Sequence, residues 1–226
     1  DSDAYKDLFV SNGIPRRMND IDYVKFQENR ELGLKEGTTR DVQETELAVV
    51  DKMPKVKLPN KFYRNTGRLT FDDLAAQVKG DLPTFSNGAI YADFDNDGDL
   101  DVIANNIEDE PFIYKNLFRE NTAAVDAPTG NAYLSFSFNG QPANRHGIGT
   151  KILIFKKNGE RQVEEFYPVR GYQSSAHIPL HIGIGDPNAV DSAVVIWPDR
   201  TCQRVADLKY NTTQNLTWRP RLPFFD

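Results

Sequence analysis

Asp93-Phe94-Asp95-Asn96-Asp97-Gly98-Asp99-Leu100-Asp101 places five aspartates within nine residues, with glycine at the sixth position. Two carboxylates about 4 Å apart repel by roughly 4 kcal/mol at an effective dielectric near 20, so such a run calls for a neutralising cation. Aspartates at positions 1, 3 and 5 let a backbone curl their oxygens around Ca²⁺, and glycine at 6 permits the sharp turn. An EF-hand would need a bidentate glutamate at position 12, where Ala104 stands. It would also need flanking helices. The flanks here are Ala89-Ile90-Tyr91-Ala92 and Leu100-Asp101-Val102-Ile103, short β-type runs. The expectation is a Ca²⁺ loop joining two strands, with Asp93, Asp95, Asp97 and Asp101 coordinating by side chain and Asp99 by its carbonyl. The ion's role would be structural, at the roughly 10⁻⁴ to 10⁻³ M affinities of extracellular modules.

A truncated copy of this loop opens the chain. Asp1, Asp3 and Asp7 fall at its positions 3, 5 and 9, with Ala4 in the place of Gly98. Leu8-Phe9-Val10 then corresponds to Val102-Ile103-Ala104, Asn12 to Asn106, and Lys61-Phe62-Tyr63-Arg64-Asn65 to Phe112-Ile113-Tyr114-Lys115-Asn116. A repeat of acidic loop, strand and aromatic strand implies a radial or stacked β architecture. It also implies that the chain starts inside a repeat, as a piece of a longer protein. Between the copies, the sequence predicts a helical insertion over about 19–53. A cap at Asn19 or Asp20 opens one helix to about Leu32, and Thr38-Thr39-Arg40-Asp41 opens a second to about Lys52, before Pro54. Phe71 to Val78 reads equally as strand or short helix.

The polar stretch Arg119 to Gly130 marks a domain boundary, dividing a repeat segment (1–120) from a β domain (121–226). In the second part, Ala132 to Phe138 alternates Leu134, Phe136 and Phe138 with serines, predicting a half-buried strand. Strands are also expected over 150–155, 162–169, 178–184 and 190–197, with shorter ones near 203–208 and 215–218. Ala193-Val194-Val195-Ile196 is apolar throughout, as suits a central strand, and Asn158-Gly159 supplies a hairpin turn. The fold class expected is mainly β: a partial β-propeller-like repeat with a helical insertion, then a β-sandwich-like domain.

These residues carry a resemblance. Asn87-Gly88-Ala89 leading into Asp93–Asp101 resembles the FG-GAP/VCBS family of Ca²⁺-binding propeller blades. Asn144-Arg145-His146-Gly147-Ile148-Gly149-Thr150-Lys151, Gly171-Tyr172-Gln173-Ser174-Ser175, Leu180 to Gly185 and Val190 to Pro198 resemble the ASPIC/UnbV domain. The likeness spans most of 85–218 and is looser over 1–18 and 55–84. It implies the C-terminal piece of an exported bacterial protein, extracellular, at the cell surface or periplasmic, with a signal sequence upstream. It supplies no catalytic residue and no ligand, and one complete loop does not make a closed propeller.

Composition narrows the function classes. The chain has 226 residues, 39% hydrophobic and 27% charged, and a net charge of −6, with no basic stripe for nucleic acid. No apolar run reaches the ~18 residues of a membrane helix. The single cysteine, Cys202, reads as a small strand hydrophobe. His146, His177 and His181 fit no zinc spacing, and His181 between Leu180 and Ile182 reads as a hydrogen-bonded strand histidine. Glu164 and Glu165 are adjacent on a strand and point to opposite faces, so they form no acid–base pair. The glycines of Gly147-Ile148-Gly149 and Gly183-Ile184-Gly185 read as turns or bulges. The expected function is a non-enzymatic Ca²⁺-binding module with a protein or glycan partner. Two alternatives are a carbohydrate-binding module using Tyr167, Tyr172, Trp197 and Trp218, and the accessory part of a hydrolase whose catalytic domain lies upstream.

Overall fold

The computed structural model describes residues 1–15, 55–123 and 130–225. Both expected insertion helices lie outside the described residues. The described chain is mainly β, in several small sheets with no closed barrel among them.

The first part holds two three-stranded antiparallel sheets. One consists of β1 (Leu8–Val10), β2 (Lys61–Asn65) and β3 (Phe71–Asp73). The other consists of β4 (Ser86–Ala92), β5 (Asp101–Asn106) and β6 (Phe112–Tyr114). The ambiguous segment from Phe71 therefore begins as a strand, held by pairing with Arg64 and Tyr63, and then turns. The repeat is visible as register. Leu8 pairs with Tyr63 as Val102 pairs with Tyr114, and Phe9 with Phe62 as Ile103 with Ile113. Phe9, Phe62, Tyr114 and Phe112 stack in series between the sheets, with centroids 4.8–5.7 Å apart for successive neighbours. Beside them runs a buried polar chain. Asn60 Nδ2 donates to Ser86 Oγ and Tyr114 OH, both at 2.8 Å, and Ser86 Oγ donates to Asn106 Oδ1 at 2.6 Å. Buried polar groups are tolerated when paired in this way.

The second part packs a sheet ordered β12 (Leu180–Gly185), β7 (Ala132–Asn139), β15 (Thr213–Thr217) against one ordered β14 (Cys202–Arg204), β13 (Val190–Ile196), β8 (Lys151–Lys156), β9 (Arg161–Glu165). Leu134 and Phe136 from the first sheet meet Ile152, Ile154, Ala193 and Val195 from the second in one core, with Phe166 and Trp197. Each large apolar side chain buried there contributes about 1.5–3 kcal/mol. The sandwich is the main source of stability.

Several expectations change in detail. The strand expected over 162–169 divides into β9 and β10 (Val169–Gly171), because Phe166 turns into the core and Pro168 cannot continue a ladder. β10 pairs instead with β11 (Ser174–Ser175), and this small hairpin lies on β4, where Gly88 leaves room only for Ser174. The polar boundary stretch contains a short helix, α1 (Phe118–Ala123). β7 is not half-buried. Tyr133 and Ser135, on the face expected to be wet, are also buried: the acidic loop covers Tyr133 at Gly98, and Ser135 bonds to Thr213 of β15 at 2.9 Å.

Candidate metal centre

The acidic run forms the connection between β4 and β5. Its shape comes from aspartates that accept backbone N–H groups two residues on, the Asx pattern that bends a chain locally. Asp95 Oδ1 accepts from Asp97 N at 3.4 Å and Asp97 Oδ1 from Asp99 N at 3.0 Å. Asp93 Oδ2 accepts from Gly98 N at 3.1 Å. Asp101 closes the base: Oδ1 accepts from Asn116 N at 2.8 Å and Oδ2 from Phe94 N at 3.2 Å. Asn96 (φ 61°) and Gly98 (φ 96°) supply the left-handed turns.

This arrangement brings carboxylate oxygens of Asp93, Asp95 and Asp97 within 4.8 Å of one another, and likewise those of Asp97, Asp99 and Glu120 from α1. Asp101, expected to coordinate by side chain, is outside both groups because its oxygens hold the frame. Asp99, expected to act through its carbonyl, has its side chain buried at 2% exposure, with Oδ2 accepting from Arg119 N at 3.0 Å. Asp93 Oδ1, Asp97 Oδ2 and Asp99 Oδ1 are buried and accept no hydrogen bond, although Lys115 Nζ lies 3.9 Å from Asp97 Oδ2. Burial, reinforced by Asp97, pushes the Asp93 carboxyl above its ordinary value. Burial, with the charges of Asp97 and Asp101, pushes Asp99 up to about 7. Lys115 offsets part of this charge, lying 2.5 Å from Asp95 and 2.6 Å from Glu120, and holds both carboxyls below their ordinary values.

The loop is seated on the sandwich. A Cβ on Gly98 would come within 2.9 Å of the Tyr133 ring. Tyr133 in turn stacks on His181 at 4.3 Å and lies under the Arg119 guanidinium at 5.5 Å. A cavity of about 140 Å³ remains between loop and sandwich, bounded by Asp93, Asn96, Tyr133, Ser135 and His181.

The opening segment repeats four bonds of the frame. Asp3 N donates to Asp1 Oδ1 at 3.3 Å, and Tyr5 N to Asp3 Oδ1 at 2.8 Å. Asn65 N donates to Asp7 Oδ1 at 2.8 Å, and Asn65 Nδ2 to the Lys6 carbonyl at 3.2 Å, as Asn116 Nδ2 does to Leu100 at 3.3 Å. Ser2 (φ 57°) and Ala4 (φ 78°) take the conformations of Asn96 and Gly98. This loop is seated on β12, where Gly185 N donates to the Ser2 carbonyl at 2.9 Å and Gly183 leaves space for Ser2.

The family comparison falls in the sandwich, from the residue after β7 to beyond β15. Residues 140–221 match the model of the ASPIC and UnbV family. No curated protein matches the chain. Within the ASPIC/UnbV segment, Gly147 (φ 65°) and Gly149 (φ 87°) form the turn before β8, and β12 has a bulge between Gly183 and Gly185. His181 was read as hydrogen-bonded. Its ring stacks on Tyr133 instead, and burial lowers its pKa to about 4. Glu164 and Glu165 separate, one to Lys6 at 2.8 Å and the other to Lys151 at 3.5 Å. Cys202 is a half-buried free thiol in β14. Of the four proposed sugar-stacking rings, Trp197 lies in the core at 1% exposure, and Trp218 packs on the core with Nε1 donating to Asp199 Oδ2 at 3.0 Å. Tyr167 and Tyr172 are exposed. No helix among the described residues is long and apolar enough to cross a membrane.

Two features escaped sequence reasoning. Glu120 joins the acidic cluster from a helix that begins beyond β6, and Lys115 reaches back to Asp95. For Lys115 a signal existed, since Arg64 occupies the same place in the first copy and pairs with Asp72 at 2.8 Å.

Proposed function

We propose that this chain is a non-enzymatic, Ca²⁺-stabilised interaction module of an exported protein, extracellular, at the cell surface or periplasmic. Asp93, Asp95 and Asp97 hold the ion by side chain and Asp101 fixes the loop around it. The observation that carries this reading is the pair of buried oxygens on Asp93 and Asp99 that accept no hydrogen bond, beside Asp97 Oδ2, which faces only the Lys115 ammonium at 3.9 Å. A buried anionic oxygen without a partner is costly, and a hard divalent cation takes oxygen ligands of this kind. Ca²⁺ supplies charge neutralisation, while the residues bind it and join β4 to β5. The repeated loop–strand–strand unit supports the likeness to FG-GAP/VCBS blades, and the ASPIC/UnbV match supports a place in a larger exported protein. The partner is a protein or a glycan. For a glycan, the supporting surface is the exposed pair Tyr167 and Tyr172.

Thermal melting with EDTA and with up to ~5 mM Ca²⁺ tests the metal site. Ca²⁺ should raise Tm in the wild type and leave Asp93→Asn/Asp97→Asn unmoved. An unchanged wild-type Tm across that range removes the metal from the account. Arrays of polysaccharides and exported proteins, with Tyr167→Ala/Tyr172→Ala alongside, separate the two partner classes.

A further inference from the structure

We infer that the acidic loop takes a second hard divalent cation, held by Asp97, Asp99 and Glu120. This goes beyond the single ion at Asp93, Asp95 and Asp97, and rests on that reading only through Asp97, which the two ions share. One carboxylate oxygen from each of Asp97, Asp99 and Glu120 lies within 4.8 Å of the other two, so ligand atoms converge from two separate segments of chain.

Asp99 is the residue that one ion leaves unsatisfied. It is 2% exposed; its Oδ2 accepts from Arg119 N at 3.0 Å, and its Oδ1 is buried and accepts no hydrogen bond. Asp99 lies outside the first group, so an ion at Asp93, Asp95 and Asp97 does not reach that oxygen. A buried carboxylate oxygen is costly unless it is paired or binds a metal. Glu120 is brought to it by backbone bonds. Asn116 N donates to Asp101 Oδ1 at 2.8 Å, Phe118 N donates to Asn116 Oδ1 at 3.1 Å, and the Arg119 bond to Asp99 continues the series. Glu120 is itself exposed, which gives an ion a path from solvent.

Charge points the same way. The two groups together contain five carboxylates. One divalent ion and the Lys115 ammonium, 2.6 Å from Glu120, neutralise three of those charges, and a second divalent ion neutralises the rest. The first copy of the loop has no counterpart, since Tyr5 stands in the place of Asp99 and Leu69, four residues after Asn65, in that of Glu120.

Mn²⁺ takes the same oxygen ligands as Ca²⁺ and serves as the probe. The sharp electron paramagnetic resonance spectrum of the free ion fades on binding, so a titration of the full chain counts bound ions. The wild type should bind two. Ions bridged by one carboxylate lie about 3.5–4 Å apart, so their spins couple and broaden the bound spectrum. Glu120→Ala should bind one ion and lose the coupling, and Asp95→Ala should do the same. Both residues are exposed, so both variants should keep the wild-type circular dichroism. A single wild-type ion, kept by Glu120→Ala and lost from Asp95→Ala, overturns the second site and leaves the first standing. A single ion with the reverse pattern supports the site at Glu120 and removes the other. Two uncoupled ions whose number Glu120→Ala leaves unchanged also overturn the proposal, and no binding at all removes both sites.

Discussion

The loops at 1–7 and 93–101 share one skeleton and differ in what fills it. Both use aspartates to accept N–H groups two residues on, and both are closed by an aspartate bonded to the asparagine after an aromatic strand. Tyr5 stands where Asp99 stands, and Ala4 where Gly98 stands. The first loop adopts the shape without the full set of carboxylates. The fold of the loop is therefore a property of local hydrogen bonding. What sets the second loop apart, and supports the cation site proposed for it, is its buried carboxylate oxygens that accept no hydrogen bond, an electrostatic feature and not a geometric one.

Substitutions at equivalent positions sharpen this contrast. Asp101→Ala strands two N–H groups in a buried place and should cost about 2–4 kcal/mol, whereas Asp7→Ala, at an exposed copy, should cost about 1 kcal/mol or less. Urea unfolding of both variants measures this, and equal losses would mean that the two frames bear equal loads. His181 sits beside both seats, stacking on Tyr133 near the second loop and preceding Gly183 at the first. Its folded pKa of about 4 lies below the unfolded value of 6.5, so the unfolded state binds the extra proton between them. Stability from this group is complete above pH 6.5 and is lost as pH falls towards 4, by up to about 3 kcal/mol. Stability measured across that window should flatten in His181→Gln.

Gly98→Ala should cost about 1–2 kcal/mol, since φ is 96° and the new Cβ meets the Tyr133 ring. Ala4→Gly should act in the opposite direction by about 1 kcal/mol, because alanine there already sits at φ 78°. A loss on both changes would break the equivalence of the two turns. Least of all, Lys6→Met removes an exposed pair with Glu164 and should shift stability by under about 1 kcal/mol, vanishing at high salt.

Much of this was readable in residues. Alternation in Leu134, Phe136 and Phe138 and the apolar run 193–196 marked core strands, because a two-residue period has one structural meaning. Asn158-Gly159 placed the β8–β9 hairpin, with Gly159 at φ 89°. The alignment of Asp1, Asp3 and Asp7 with Asp95, Asp97 and Asp101 predicted equal backbone paths, and the bonds to Asp3 N, Tyr5 N and Asn65 N match those to Asp97 N, Asp99 N and Asn116 N. Tyr133 and Ser135 misled, since alternation reports one buried face and is silent about a neighbour arriving on the other. Trp197 was open in the sequence: an indole's chemistry suits a sugar platform or a core, and packing chooses the core.

By itself, then, the sequence determined the loop skeletons, the strand identities and the repeat, all of which arise from interactions between residues close in the chain or from strand periodicity. The tertiary structure alone decided which carboxylates are stranded from solvent, and that Glu120 and Lys115 join them. Those facts depend on distances between segments far apart in sequence, which no spacing rule encodes, and on burial, which exists only once the acidic loop is seated on the sandwich.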